Sequence, residues 1–420
     1  MRSNPVIRGG FPFSYGSKDT LVTTGDGFYL YDRNGKRYLD LCSGLWNMPF
    51  GYSNNTIINK VKEQLDKLPF NNLLSLVADI QEEYAVNLTG YMRDFSSVLY
   101  TCSGSEAVEA AIKTCRKYQA QKGRANRKII SAFVLSYHGT SYGAMSLSGI
   151  ERVLVEDYQP VLPQIQWIEV PVNLEDERAW IKLIDYHFEL YGEFVAGVIV
   201  EPIFASGGII AVPKEVLRYL QQLCNKNDSL LVVDEIATGF GRTGTPFAFQ
   251  KYELKPDLVC LSKAINNGYL PLGGLVFSNA LSEYFTEQNT VIEHFSTQGG
   301  NLAAISSASA MLDLMKSYDS YDVEGKGKLF LESLKMELSD CENISIRGFG
   351  LMLAIDFTVS TMGERLLDIL SMLQKRGVLV YMYNNGDYNR GISIFPSFLI
   401  TEEEILKYVP IIAKTLKRFV

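Results

Sequence analysis

Leu230-Leu231-Val232-Val233-Asp234-Glu235-Ile236 is an unbroken run of branched apolar residues that ends in two carboxylates. Such a run reads as a strand buried on both faces, the form strands take inside a parallel sheet. Downstream stands a second run of this kind, Val259-Cys260-Leu261-Ser262-Lys263-Ala264-Ile265, which delivers one ammonium group toward the glycine-rich turn Pro271-Leu272-Gly273-Gly274. A lysine in that setting is expected to be partly desolvated, which lowers its pKa and frees its amine for Schiff-base chemistry. A lone lysine after a strand is ordinarily a surface residue. The strand-end acid changes the weighing, because Asp234 and Lys263 together supply two of three groups that one cofactor needs.

That cofactor is pyridoxal phosphate, whose aldehyde takes a lysine, whose ring nitrogen takes an acid and whose phosphate takes backbone donors. The third group lies in Ser103-Gly104-Ser105-Glu106-Ala107, which follows the short strand Val98-Leu99-Tyr100 and opens a helix. Small residues there leave the first helical N–H groups open to an anion, which the helix dipole also favours. Taken alone, Ser103 reads as a plain N-cap.

Strand and helix signals alternate along the chain. Gly27 to Asp40 alternates about Asn34-Gly35 and reads as a hairpin, and Asn55 to Leu68 has helical spacing. From residue 70 to 310, strands at Val98–Tyr100, Ile129–Leu135, Gly197–Val200, Leu230–Val233 and Leu258–Leu261 alternate with helices, which implies a mostly parallel sheet covered on both faces. A helix is expected near Asn301, and Ile346 to Phe357 with a last helix from Thr401 fits a smaller α+β unit. The expected division is an N-terminal segment 1–69, a large cofactor-binding domain 70–310 and a C-terminal small domain 311–420. Gly239-Phe240-Gly241-Arg242-Thr243-Gly244 matches a dinucleotide fingerprint, but Pro246 falls where the helix should run, so a glycine-rich loop is expected.

With 420 residues, 47% of them hydrophobic, the chain can bury a large core. A net charge of −7 without a basic run argues against nucleic acid as a partner. Residues 1–15 lack an apolar secretory core and no stretch reaches membrane-spanning length, so a soluble cytoplasmic protein is expected. The six cysteines show no CxxC spacing, which indicates buried thiols and no metal site.

In order along the chain, Ser103-Gly104-Ser105-Glu106-Ala107, Tyr137-His138-Gly139, Glu201-Pro202-Ile203, Asp234 to Gly244, Ser262-Lys263 and Phe295 to Asn301 resemble the class III aminotransferases of fold type I. The resemblance implies a large domain with a mostly parallel seven-stranded sheet between helices, and a smaller α+β domain built from both termini. It implies that Lys263 is the Schiff-base lysine and Asp234 the partner of the ring nitrogen. Ser103, Gly104 and Ser105 would hold the phosphate, Tyr137 and Ile236 would cover the two ring faces, and His138 and Glu201 would complete the cofactor site. Thr297 would reach the phosphate of a neighbouring subunit, hence a homodimer. Lys263 would serve as leaving group and general base in a ping-pong exchange.

Substrate choice departs from the family pattern. Ile392-Ser393-Ile394-Phe395-Pro396 resembles the segment that often carries a carboxylate-binding arginine, yet Ser393 holds that position. Ser206 stands where the glutamate that often covers the arginine would be. Losing both is self-consistent, since either charge buried alone would be costly. The expected donor is therefore an amine or ω-amino compound and the acceptor an aldehyde or keto acid, free or peptide-borne. Ser43-Gly44-Leu45-Trp46 resembles a pocket segment of the amine transaminases, so Trp46 is a candidate substrate contact, with core filler as its other reading. Arg390 is a candidate contact for an acceptor carboxylate, against a solvated loop arginine beside Asp387. An aminomutase or decarboxylase of the same fold would share every cofactor residue. A cofactor-binding protein without turnover would have no need of both Lys263 and Asp234.

Overall fold

The computed structural model describes Gly9 and residues 20–152, 155–359 and 362–420, so nearly all of the stretch 1–15 lies outside the described residues. A seven-stranded sheet forms the centre, in the order Phe95–Thr101, Gly273–Ser278, Leu258–Leu261, Leu230–Asp234, Val195–Val200, Ile129–Phe133 and Ile165–Ile168. Gly273–Ser278 runs antiparallel to both its neighbours, and the other described pairings are parallel. Side-chain alternation divides the sheet between two cores. Leu231 and Val233 join one cluster, Leu230 and Val232 the other.

Two of these strands were not legible as such. Pro271 to Gly274 reads as a turn, yet Gly273 and Gly274 begin a strand. Glycine is required there by close approach, because a Cβ on Gly273 would stand 2.3 Å from the Ser103 carbonyl oxygen. Ile165–Ile168 is a short edge strand whose Gln166 and Trp167 are only partly covered.

One of the remaining sheets joins the two ends of the chain. The hairpin Tyr29–Asp32 and Arg37–Asp40 pairs in parallel with Val378–Leu379, and a four-stranded antiparallel sheet runs Ile344–Phe349, Met352–Phe357, Arg390–Ile394, Tyr381–Asn384. Helix Asn55–Lys67 starts at Asn54, whose side chain accepts from Thr56 and Ile57 N–H, and the last helix, Glu402–Leu416, is capped by Thr401. Helix Leu302–Met315 is capped by Asn301 and nearly all buried. Gly239–Gly244 is a run of turns, as expected of a loop. Among the described residues no helix is long and apolar enough to cross a membrane, and no group of His, Cys, Asp and Glu could hold a metal.

Candidate active site

Ligands of open α/β sheets bind beyond the carboxyl ends of the strands. Here the loops leaving Thr101, Phe133, Val200, Asp234 and Leu261 converge on a cavity of about 150 Å³. Ser103, Gly104, Ser105, Tyr137, His138, Glu201, Asp234, Ile236 and Lys263 line it, with Trp46 arriving from the N-terminal segment. A larger open groove of about 880 Å³ beside Tyr91 and Lys255 has neither the lysine nor the strand-end acid.

Alternation along the strand separates the two carboxylates. Asp234 points into the cavity, where Oδ2 meets His138 Nδ1 at 2.8 Å and Oδ1 accepts from Ile236 N at 3.0 Å. Glu235 points the other way and is wholly buried. It accepts from Thr238 Oγ1 at 2.5 Å and Phe249 N at 2.6 Å, and burial pushes its pKa up to about 7. His138 is fixed by its own N–H on Ser148 Oγ at 2.9 Å, while its Nε2 has no partner among the described residues.

Lys263 leaves its strand in the left-handed region, at φ +46°, a strained conformation for a residue with a Cβ and of the kind that gathers at functional sites. Its Nζ lies 4.5 Å from the centroid of the Trp46 ring. Burial pulls its pKa down, and the charges of Glu201 and Asp234 oppose that. Glu201 links two walls, accepting from Tyr137 N at 2.9 Å and Ala205 N at 3.2 Å, and burial pushes its carboxyl up.

At the helix Gly104–Gln121 the N-cap and anion readings hold together, because they use different donors. Ser103 Oγ accepts from Glu106 N at 3.2 Å, and Glu106 Oε2 accepts from Cys102 N at 2.7 Å. The N–H groups of Gly104 and Ser105 have no acceptor among the described residues. Ser105 Oγ instead accepts from Thr140 N at 3.1 Å. A Cβ on Gly104 would come within 2.8 Å of Ile236 Cδ1, so glycine keeps this corner open.

Trp46 is both core filler and cavity wall. It stacks on Phe395 at 4.4 Å, meets Tyr381 edge-on at 5.4 Å and has no partner for its Nε1 among the described residues. The backbone that presents it is strained, with Ser43, Gly44 and Trp46 all at positive φ. Buried Asp40 holds that turn by accepting from Cys42 N at 2.8 Å, Gly44 N at 2.7 Å and Tyr52 Oη at 2.6 Å. Sequence reasoning missed this support; its visible signal was the acid closing the Gly27–Asp40 hairpin. It also missed Gly139, which lines the cavity at φ +128°, where a Cβ would fall 2.2 Å from Ser105 Oγ.

Two expected residues are not brought to the cavity. The Arg390 guanidinium donates to the Gly386 carbonyl of its own hairpin and does not line the cavity. Thr297 is exposed, and its chain neighbour Ser296 lines a groove with Leu74, Val77, Val291 and Phe295.

The residues present fit pyridoxal phosphate. Two unpaired N–H groups at a helix start suit the phosphate, Asp234 the ring nitrogen and the desolvated Lys263 amine the aldehyde. Comparison with known proteins agrees. The sequence model described as aminotransferase class-III matches residues 13–416. The chain belongs to the class III aminotransferases. It is a pyridoxal-phosphate-dependent transaminase of fold type I. It is 34% identical over 404 residues to an acetylornithine aminotransferase of Bacillus cereus, covering 96% of each chain. A transaminase from the marine bacterium Virgibacillus shares the fold, with a TM-score of 0.93 at 24% identity over 98% of this chain and 96% of the other. The PLP-bound amine transaminase of an uncultivated Pseudomonas species is similar at a TM-score of 0.87 and 26% identity, covering 99% and 97%.

Proposed function

We propose that this aminotransferase takes its amino group from an amine or ω-amino donor, passes it to an aldehyde or keto acid in alternating half-reactions, and works as a cytoplasmic homodimer. The observation that carries the substrate reading is the absence of a carboxylate-binding charge at both expected positions. Ser393 is buried on Arg390–Ile394, Ser206 lines the cavity, and among the described residues the Ser393 hydroxyl has no partner and no arginine lines the cavity. Arg347, on the neighbouring Ile344–Phe349 strand, is already bound to Asp356 and to the carbonyls of Gly208 and Ile209. The likeness to an amine transaminase supports the same reading.

When bound, pyridoxal phosphate supplies an aldehyde that links to a primary amine and a ring that takes up the electron pair released at the adjacent carbon. Gly104 and Ser105 would hold its phosphate through their free N–H groups, with Tyr137 and Ile236 against its faces. Asp234, steadied by His138 Nδ1 and Ile236 N, would keep the ring nitrogen protonated. Desolvation makes the Lys263 Nζ a better base near neutral pH, so it would carry the proton away from the substrate carbon and return it. Trp46 would shield that amine from water.

The exposed apolar groove of Leu74, Val77, Val291 and Phe295 beside Thr297 supports a second copy covering this face. Weaker cofactor binding in Thr297→Ala would support shared sites; unchanged binding would remove that role. Steady-state kinetics test the reaction itself. Parallel double-reciprocal lines with a primary amine and an aldehyde, and a kcat/KM for the amine above that for glutamate, are expected. Intersecting lines or a preference for glutamate would overturn the reading.

A further inference from the structure

The hairpin Ile203–Phe204 with Ile210–Ala211 carries residues 205–209 at its tip, and Ser206 of that tip is a wall of the cavity. Each carbonyl from Ser206 to Ile209 accepts from a side chain of the C-terminal sheet or its turn. Asn385 Nδ2 donates to Ser206 O at 3.1 Å and Asn389 Nδ2 to Gly207 O at 2.7 Å. Arg347 Nε donates to Gly208 O at 2.7 Å and Ile209 O at 3.2 Å. The clamp is itself braced. Asn385 Nδ2 also donates to Asn389 Oδ1 at 2.7 Å, Asn385 N to Asn389 O at 2.8 Å, and Arg347 is held by Asp356, which also accepts from Tyr383 Oη.

The opposite side of the tip is equally close. A Cβ on Gly207 would stand 2.5 Å from the Leu135 carbonyl oxygen, while on the clamp side one on Gly208, at φ +104°, would meet both Arg347 Nη2 and Asn389 Nδ2 at 2.8 Å. Hairpin tips ordinarily turn their carbonyls to water. Four in succession held by side chains from the far end of the chain fix where the wall stands, whatever side chain residue 206 carries.

We infer that Asn385, Asn389 and Arg347 are positioning residues that set the distance of the Ser206 wall from the substrate, and thereby the size of amine that enters. The inference rests on the amine reading above. With serine at 206 and 393, no charge draws a substrate into register, so the room left by the wall does the discriminating. Loosening the clamp admits bulkier amines. It leaves cofactor binding alone, because none of its three side chains lines the cofactor cavity.

The test compares the wild-type holoenzyme with Asn385→Ala, Asn389→Ala and the near-isosteric Asn389→Asp, which keeps the shape but loses the donors. Amide hydrogen exchange of residues 205–209 should speed up roughly fivefold to tenfold, the worth of one neutral hydrogen bond in a local opening. The ratio of kcat/KM for 1-phenylethylamine to that for isopropylamine should rise by a similar factor, through KM of the bulkier amine. Kcat for isopropylamine and the affinity for pyridoxal phosphate should stay near wild type, which also shows that the variants fold. Unchanged exchange at the tip overturns the clamp, and faster exchange with an unchanged ratio overturns its role in size selection. If wild type converts neither amine, the amine reading fails while exchange still decides whether the clamp holds the wall.

Discussion

Replacing Glu235 by glutamine should make stability less sensitive to pH. Its carboxyl is wholly buried beside Asp234, and burial lifts its pKa from an ordinary 4.5 to about 7. The native chain therefore holds this proton more tightly than the unfolded chain does. Between pH 4.5 and about 7 the native state carries the extra proton, so stability is highest at the acid end and falls as pH rises through the window. At about 1.4 kcal/mol per pKa unit, the full loss is on the order of 3 kcal/mol, complete above pH 7. Glutamine keeps an acceptor for Phe249 N and can donate to Thr238 Oγ1, so the variant should match wild type near pH 5 and exceed it at pH 8. Urea unfolding of both proteins at intervals from pH 5 to 8, at one protein and cofactor concentration, measures the difference in slope. Equal slopes would refute the assignment of a proton to buried Glu235.

Asp234→Asn should retain cofactor binding but lose about 100-fold or more in turnover, the scale of removing one preorganised charge from a reacting centre; near-normal turnover would take Asp234 out of its role. Gly104→Ala places a Cβ 2.8 Å from Ile236 Cδ1 and pushes that side chain into the cavity. The overpacking, about 1–3 kcal/mol, should weaken pyridoxal phosphate binding roughly tenfold or more, read by titration of the apoprotein. Arg390→Ala should leave the KM for a keto acid unchanged, since its guanidinium is engaged with Gly386 O outside the cavity; a several-fold rise would restore it as a substrate contact.

The sequence carried the parts of the fold that are buried on both faces. Leu230–Asp234 and Leu258–Leu261 read as apolar runs because they lie inside the sheet, and the cofactor residues named from them line one cavity. Gly273–Ser278 was hidden because its glycines answer to a neighbouring strand end and not to a turn. The choice between Asp234 and Glu235 was open to alternation, since Leu230 and Val232 share the face of Asp234. The Asn385 and Asn389 contacts join positions 179 and 182 residues apart, through backbone carbonyls that no side-chain pattern records. That the Arg390 guanidinium turns back to Gly386 O is not visible from its nearness in sequence to the Ser393 segment.

The visible spectrum of the purified, cofactor-loaded enzyme, followed while glutamate, alanine, a primary amine and an ω-amino acid are added in separate titrations, tests the central claim most directly. The account predicts that the band of the lysine-bound cofactor is lost to the aminated cofactor with the amine or the ω-amino acid, and poorly with glutamate. Ready conversion by glutamate would contradict it, because among the described residues the cavity walled by Ser206 offers no arginine for an α-carboxylate.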